Sequence, residues 1–452
     1  MCTHNRVVCT FLTFFSIFCG FCFTFAAVNR KILALALPSI ASNITVPLLG
    51  LCDVTIMGHI GGATSIAAIA VGSMIFNVIY WLFGFLRMGT SGITAQAYGR
   101  GGGMLEILKS SLLMALLLGA AIVVLQVPLQ WLSYWLMQMQ DDVSQLCIHY
   151  YYICVWGAPA MLGLYSLMGW FIGMQDTRTP MMIAIGQNVM NILLSLFLVI
   201  VLHLGIVGVA LGTMLSQWAA FLAALLFAKR KVEEKGLQRP SEFTQKSLKR
   251  LLTPHFRVYL DIFLRTLCLV AVNLYFTSAG SAQGALTLAA NTLLMQFFMF
   301  FSYVMDGFAF AGEALAGKSY GAGDGVTLRR VVRLLFCWGL AVAALFTVAY
   351  WLLGTEVLRL LTSDAEVITA AKCYMTWAVL IPAAGMAAFV WDGIFIGITE
   401  TRGMLWSCLV ASVAFFAIYL LLAPIMANHA LWLALLVYLA LRGIVQTYIF
   451  IH

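Results

Sequence analysis

Charge is scarce in this chain. Asp and Glu number 17 and Lys and Arg 25 among 452 residues, so charged residues make up 9%, against about a quarter in soluble domains. With 63% hydrophobic residues, a water-soluble globule is excluded, because too few polar side chains remain to cover it. Groupings that carry enzymatic chemistry are missing too. No Cys-x-x-Cys pair is backed by a second pair or by spaced histidines, and no apolar run holds paired acids or a Ser/His constellation. An intramembrane protease or prenyl transferase is therefore excluded, the chain is not expected to be an enzyme, and neither a cofactor nor a resident metal is expected. The eleven cysteines read as buried free thiols packing as small hydrophobes.

What is there is length and apolarity. Runs of about 20 apolar residues, enough to cross about 30 Å of hydrocarbon as a helix, fall at 32–57, 66–88, 106–134, 146–172, 180–204, 206–228, 256–278, 285–311, 330–354, 368–397, 404–427 and 430–451. The fold class is all-α: a polytopic membrane protein of twelve core transmembrane helices in two pseudo-symmetric six-helix bundles. Arg30/Lys31, Arg100/Lys109, Arg178, the stretch from Lys229 to Arg257, Lys318 to Arg333 and Arg402 fall on one side if helices alternate, and Arg359 and Lys372 on the other. The positive-inside bias places both core termini in the cytoplasm and the protein, multi-pass, in the cytoplasmic (inner) membrane. This distribution accounts for the net charge of +8, so the expected partners are membrane lipid and small amphipathic organic substrates, with no nucleic acid, around a monomer. The chain divides into four segments: a hydrophobic extension at 1–28, a first lobe at 29–229, a basic cytoplasmic linker at 230–255 and a second lobe at 256–452. The extension has three readings: a signal-like segment, an extra helix, or an artefact of start-site choice with translation beginning at Val28.

The two lobes are one sequence written twice. Phe171-Ile172-Gly173-Met174-Gln175-Asp176-Thr177-Arg178 returns as Phe395-Ile396-Gly397-Ile398-Thr399-Glu400-Thr401-Arg402, an offset of 224. At an offset of 223, Asp141 meets Asp364, Tyr151 meets Tyr374 and Pro159-Ala160 meets Pro382-Ala383; at 222, Tyr98-Gly99 meets Tyr320-Gly321. Six helices is an even number, so both halves enter from one face and are related by an axis along the membrane normal, with a substrate path expected between them. The repeated turn reads as a structural hinge point.

Leu37-Pro38-Ser39-Ile40-Ala41-Ser42-Asn43, continuing to Asp53, with Gly58-His59, Ala70-Val71-Gly72, Phe83 to Thr90 and Asp306-Gly307-Phe308-Ala309-Phe310-Ala311-Gly312-Glu313, resembles the multidrug and toxic compound extrusion (MATE) family, in its DinF-type branch. The resemblance covers residues 29–451. It implies a cation-coupled exporter of two six-helix lobes working by alternating access, with Asp53 as the family's first-helix aspartate and Pro38 as its helix-bending proline. The residues support the coupling reading independently. A carboxylate near the outer third of the first helix, with no Lys or Arg at helical spacing, is costly if charged in hydrocarbon and is expected to face a cavity and take up a proton, or else sodium. The competing reading of Asp53 is a cap at the helix end near Gly58.

Some relatives carry in the fifth helix an Asn followed four residues later by an Asp; here the pair reads Asn191 and Ser195. Asn188, Asn191 and Ser195 share a helix face and are expected to join Asp53 around the coupling ion, or to serve as interhelical glue. In the second lobe, Asp261, Arg265, Asp306, Glu313 and Asp392 fall near cytoplasmic helix ends and are expected to form an ionic latch, hydrated near the interface, or else a second cation site. Asn77 and Tyr80 in the second helix, with Met295 and Phe298 in its counterpart, are expected to line the substrate cavity, since Met and aromatic faces suit flat amphipathic cations. The alternative functions are a sodium-coupled exporter and a lipid-linked oligosaccharide flippase of the same wider fold, which would need a strongly cationic cavity.

Overall fold

The computed structural model describes the backbone of residues 26–60, 63–137, 141–237 and 245–452; the side chains of 26–27, 46–54, 57–60, 63, 134–137, 141–142 and 245–255 lie outside that description. Most of the N-terminal extension, the middle of the basic linker and the Asp53 side chain therefore lie outside the described residues. Every regular element among the described residues is helical: α1 (Ala26–Ile60), α2 (Ala63–Leu82), α3 (Phe85–Arg100), α4 (Met104–Val124), α5 (Gln126–Met137), α6 (Asp141–Cys154), α7 (Ala158–Gly173), α8 (Arg178–Leu196), α9 (Gly205–Glu234), α10 (Gln245–Ala282), α11 (Ala285–Gly321), α12 (Gly325–Leu361), α13 (Ala365–Ile398), α14 (Thr401–Met426) and α15 (Asn428–Ile451). Eleven described segments are long and apolar enough to cross a bilayer, and α1 makes twelve. They form two six-span bundles, α1–α9 and α10–α15.

Several expected single spans are interrupted or change helix type along their length. The span expected at 106–134 ends at Val124, four residues before Pro128, whose ring crowds that carbonyl. The fourth span passes through a 3₁₀ turn at Val155–Gly157 just ahead of Pro159, and the fifth ends in a π turn at Phe197–Val201. The basic linker is shorter than expected, because α9 runs on to Glu234 and α10 already begins at Gln245. The second span differs most: instead of ending near residue 88 it turns at Phe83–Gly84 and continues as α3 to Arg100. This extension is polar, yet Thr90, Ser91, Thr94 and Gln96 are buried in it. It is covered by α7 of its own bundle and by helices of the second bundle, not by lipid. Of the thiols expected to be buried, Cys147, Cys154 and Cys408 are, but Cys268 and Cys337 are half-buried and Cys373 is exposed.

Candidate functional site

The described contacts between the bundles gather toward the end where the basic residues lie. There α3 of the first bundle packs on α10, α11 and α13 of the second, and α1 packs on α11. The backbones of the two bundles approach closely at three glycines: a methyl added to Gly92 would lie 2.0 Å from the Ile396 carbonyl oxygen, one added to Gly99 2.1 Å from that of Lys318, and one added to Gly321 2.1 Å from that of Gln96. Farther along the helices from this crossing the bundles also touch: Thr90 Oγ1 and Tyr259 Oη are 2.9 Å apart, and Asn43 Nδ2 donates to the Tyr303 carbonyl at 3.2 Å. The basic end is sealed.

The repeated octapeptide closes both sides of that seal with one piece of geometry. Gln175 and Thr399 are equivalent positions, and both adopt left-handed φ, 65° and 57°. Each follows a helix end where the next amide bonds back to the residue five before it, Asp176 N–H to Phe171 O at 3.0 Å and Glu400 N–H to Phe395 O at 2.9 Å, the Schellman arrangement that satisfies terminal carbonyls. Each turn then reaches the opposite bundle. Gln175 Nε2 donates to the Ala314 carbonyl at 2.6 Å, and Thr399 Oγ1 accepts from Gln96 Nε2 at 2.9 Å. In the first copy Asp176 also caps α8 through Thr179 and pairs with Lys231 of α9. Burial alone would raise the Asp176 pKa, but the Lys231 ammonium and the two Thr179 bonds outweigh it and hold the carboxyl below its usual range.

Beside the seal lie the acids expected as a hydrated latch, and the structure corrects that expectation. They are largely buried, and only one described pair crosses between bundles: Arg87 Nη1 lies 3.4 Å from Glu313 Oε2, with the guanidinium stacked 4.0 Å over the Phe310 ring. Asp261 and Arg265, one turn apart on α10, do not pair; Asp261 accepts from Thr401 Oγ1 at 2.9 Å, and Arg265 turns to Asp392. Asp392 also takes Arg442 of α15 and, at 2.7 Å, Gln446 Nε2. That centre lies inside the second bundle and does not latch the bundles together. Two buried cations force it, since each costs several kcal/mol without a counter-ion. Sequence reasoning missed Arg442 and Gln446, although a lone arginine in the last apolar run is the signal that should have found them.

In the first bundle the structure keeps the α8 face together. Asn191 and Ser195 are fully buried one turn apart; Asn191 Nδ2 donates to Thr213 Oγ1 of α9 at 3.0 Å, while Asn191 Oδ1 and Ser195 Oγ make no hydrogen bond among the described residues. Thr213 was not anticipated. Asn188 Nδ2 donates to the Thr45 carbonyl of α1 at 3.2 Å. Because α1 and α8 run the same way, the rise of about 10 Å from Asn188 to Ser195 brings α8 level with residue 52 of α1, next to Asp53 in the backbone. Pro38 sits within an unbroken α1, with the Ser39 hydroxyl donating to the Leu35 carbonyl at 2.9 Å.

The four expected cavity residues are not brought together. Tyr80 is buried inside the first bundle, its hydroxyl among Cys154, Tyr165 and Gln217, while Asn77 is exposed. Phe298 packs on Phe389 within the second bundle, and Met295 is half-buried. Each residue along a helix is rotated about 100° from the last, so aromatic content alone does not fix the face.

A twice-six-helix membrane fold with polar centres in both bundles defines a transporter class, and the MatE family profile matches residues 38–197 and 262–421. The two matches start 224 residues apart, the spacing of the octapeptide. The chain belongs to the MatE family and is a membrane transporter, not an enzyme. It is similar to the DNA damage-inducible protein F of Escherichia coli (strain K12), at 38% identity over 428 residues covering 94% of this chain and 92% of the relative. The multidrug resistance protein MdtK of Edwardsiella ictaluri (strain 93-146) is 25% identical over 394 residues, with 84% of each chain covered. In fold it resembles the Vibrio cholerae MATE transporter VcmN in its bent form, with TM-score 0.80 at 18% identity over 94% of this chain and 96% of the other. An outward-facing MATE family transporter gives TM-score 0.80 at 22% identity over 93% and 94%.

Proposed function

We propose that the protein exports amphipathic, often cationic, organic compounds across the cytoplasmic membrane in exchange for protons. Asp53 is the coupling carboxylate, with Asn188, Asn191 and Ser195 beside it and both core termini in the cytoplasm. One observation carries this reading: Asn191 Oδ1 and Ser195 Oγ are buried oxygens without a hydrogen bond among the described residues, at the level of an intramembrane aspartate. Oxygens left free in this way can accept a hydrogen bond from a protonated carboxyl group. Neutral oxygens next to one carboxylate suit a single exchangeable proton. Sodium, which wants about six oxygen ligands, would need more donors than these three side chains and Asp53 bring. The flippase reading is disfavoured because Arg87, Arg265 and Arg442 each sit against an acid, which commits their charge and withholds it from a pyrophosphate.

Efflux of ethidium from proteoliposomes under an imposed pH gradient tests the coupling. Asp53→Asn is expected to abolish gradient-driven efflux, with a rate loss of about 100-fold or more, while the protein still binds ethidium. Unchanged gradient-driven efflux in the variant would overturn the role of Asp53, and efflux driven only by a sodium gradient would overturn the proton.

A further inference from the structure

In the buried cluster beside the seal, Asp261, Asp306, Glu313 and Asp392 stand with the guanidiniums of Arg87, Arg265 and Arg442, while Lys318, farther along α11, lies over the Tyr98 ring. Asp392 is held by two guanidiniums and Gln446, Glu313 has Arg87, and Asp261 has Thr401. Asp306 has no ion pair or hydrogen bond among the described residues and keeps partial exposure on α11, two turns from Glu313. The groups acting on it come from Arg87 on α3, Arg265 on α10, Asp392 on α13, and Glu313 and Tyr303 on α11 itself. Arg265 is more than nine-tenths buried, and its Nε–H makes no hydrogen bond among the described residues.

Arg87 alone among these cations belongs to the first bundle. It lies on the Phe310 ring and against Glu313, both carried by the second. We propose that Asp306, Glu313 and the Phe310 face form a site for the cationic group of the cargo, and that Arg87 displaces the cargo from it each time the bundles close at the basic end. The proposal rests on the export reading. When the bundles part there, Arg87 leaves with the first bundle while Arg265 and Arg442 stay committed to Asp392. The second bundle then presents two carboxylates and an open aromatic face, which attract an organic cation by charge and by cation–π contact. Closure returns a guanidinium to the same ring and the same carboxylate. The cargo is then free to leave toward the opposite side, and the gradient sets the net direction.

Tetraphenylphosphonium and tetraphenylborate have one shape and opposite charge, and their binding to the full-length protein in nanodiscs can be followed without any gradient by tryptophan fluorescence. Asp306→Asn is expected to weaken phosphonium binding about tenfold and leave borate binding unchanged, with Asp306→Glu restoring the phosphonium. Arg87→Gln, which removes the competitor, is expected to tighten phosphonium binding about tenfold; this opposite shift keeps the test decisive should the Asp306 variant misfold. Equal weakening of both ions, or no change in phosphonium binding in either Asp306→Asn or Arg87→Gln, would overturn the site. That failure alongside intact proton-driven efflux would leave the export reading standing, whereas loss of proton-driven efflux with the predicted binding shifts would do the reverse.

Discussion

At the residue scale, the division of labour among the acids is set by what each one touches. Asp392 neutralises two buried guanidiniums, so replacing it leaves two uncompensated charges in a low-dielectric interior. Asp392→Asn is expected to destabilise the detergent-solubilised protein by about 3–5 kcal/mol, read as a lower melting temperature. Arg442→Gln is expected to cost less, since Arg265 still serves the carboxylate. An Asp392→Asn protein as stable as the parent would contradict the structural role assigned to that centre. The sequence showed that these acids belonged together, but not how they pair. Spacing along one helix suggested Asp261 with Arg265; the pairing instead runs across helices to Arg442, because burial of the second cation is the larger cost.

At the scale of elements, the helices are legible from apolar length, and the sharpest failure is α3. Hydropathy ends the second span near residue 88 because the chain beyond it carries Gly89, Thr90, Ser91, Gly92, Thr94 and Gln96. Those residues are small or polar because their surroundings are another helix, not lipid, and small residues let backbones approach closely. A window average reads composition and has no knowledge of the covering partner. The repeat was the better guide, since Tyr98-Gly99 and Tyr320-Gly321 mark the α3–α11 crossing itself. Gly321→Ala is therefore expected to push that crossing apart and cost about 1–3 kcal/mol, whereas Gly102→Ala, where an added methyl meets nothing within 4 Å, is expected to leave the melting temperature unchanged. Equal melting temperatures for the two variants would remove the crossing as a point of close packing. The candidate coupling face on α8 was legible for a simpler reason: three polar residues at three- and four-residue spacing in an apolar run must share a side.

At the scale of the whole molecule, duplication supplies two similar bundles, and divergence gives them different work. The first holds the aspartate of α1 and the polar face of α8; the second holds a paired ionic centre and, in Asp306, one acid without an ion pair among the described residues. What joins them is the seal at the basic end, built from the two copies of one octapeptide and the two glycines of one dipeptide. Export by alternating access, as proposed, requires this seal to break and re-form in every cycle. Gln96 Nε2 and Thr399 Oγ1 touch across it at 2.9 Å, so cysteines at both positions can be tied by a short, reducible bifunctional thiol reagent. Efflux of ethidium from proteoliposomes carrying Gln96→Cys with Thr399→Cys, compared with each single variant, measures the requirement directly. Cross-linking is predicted to stop efflux only in the double variant, with full recovery on reduction; efflux that continues while the bundles are tied would contradict the account.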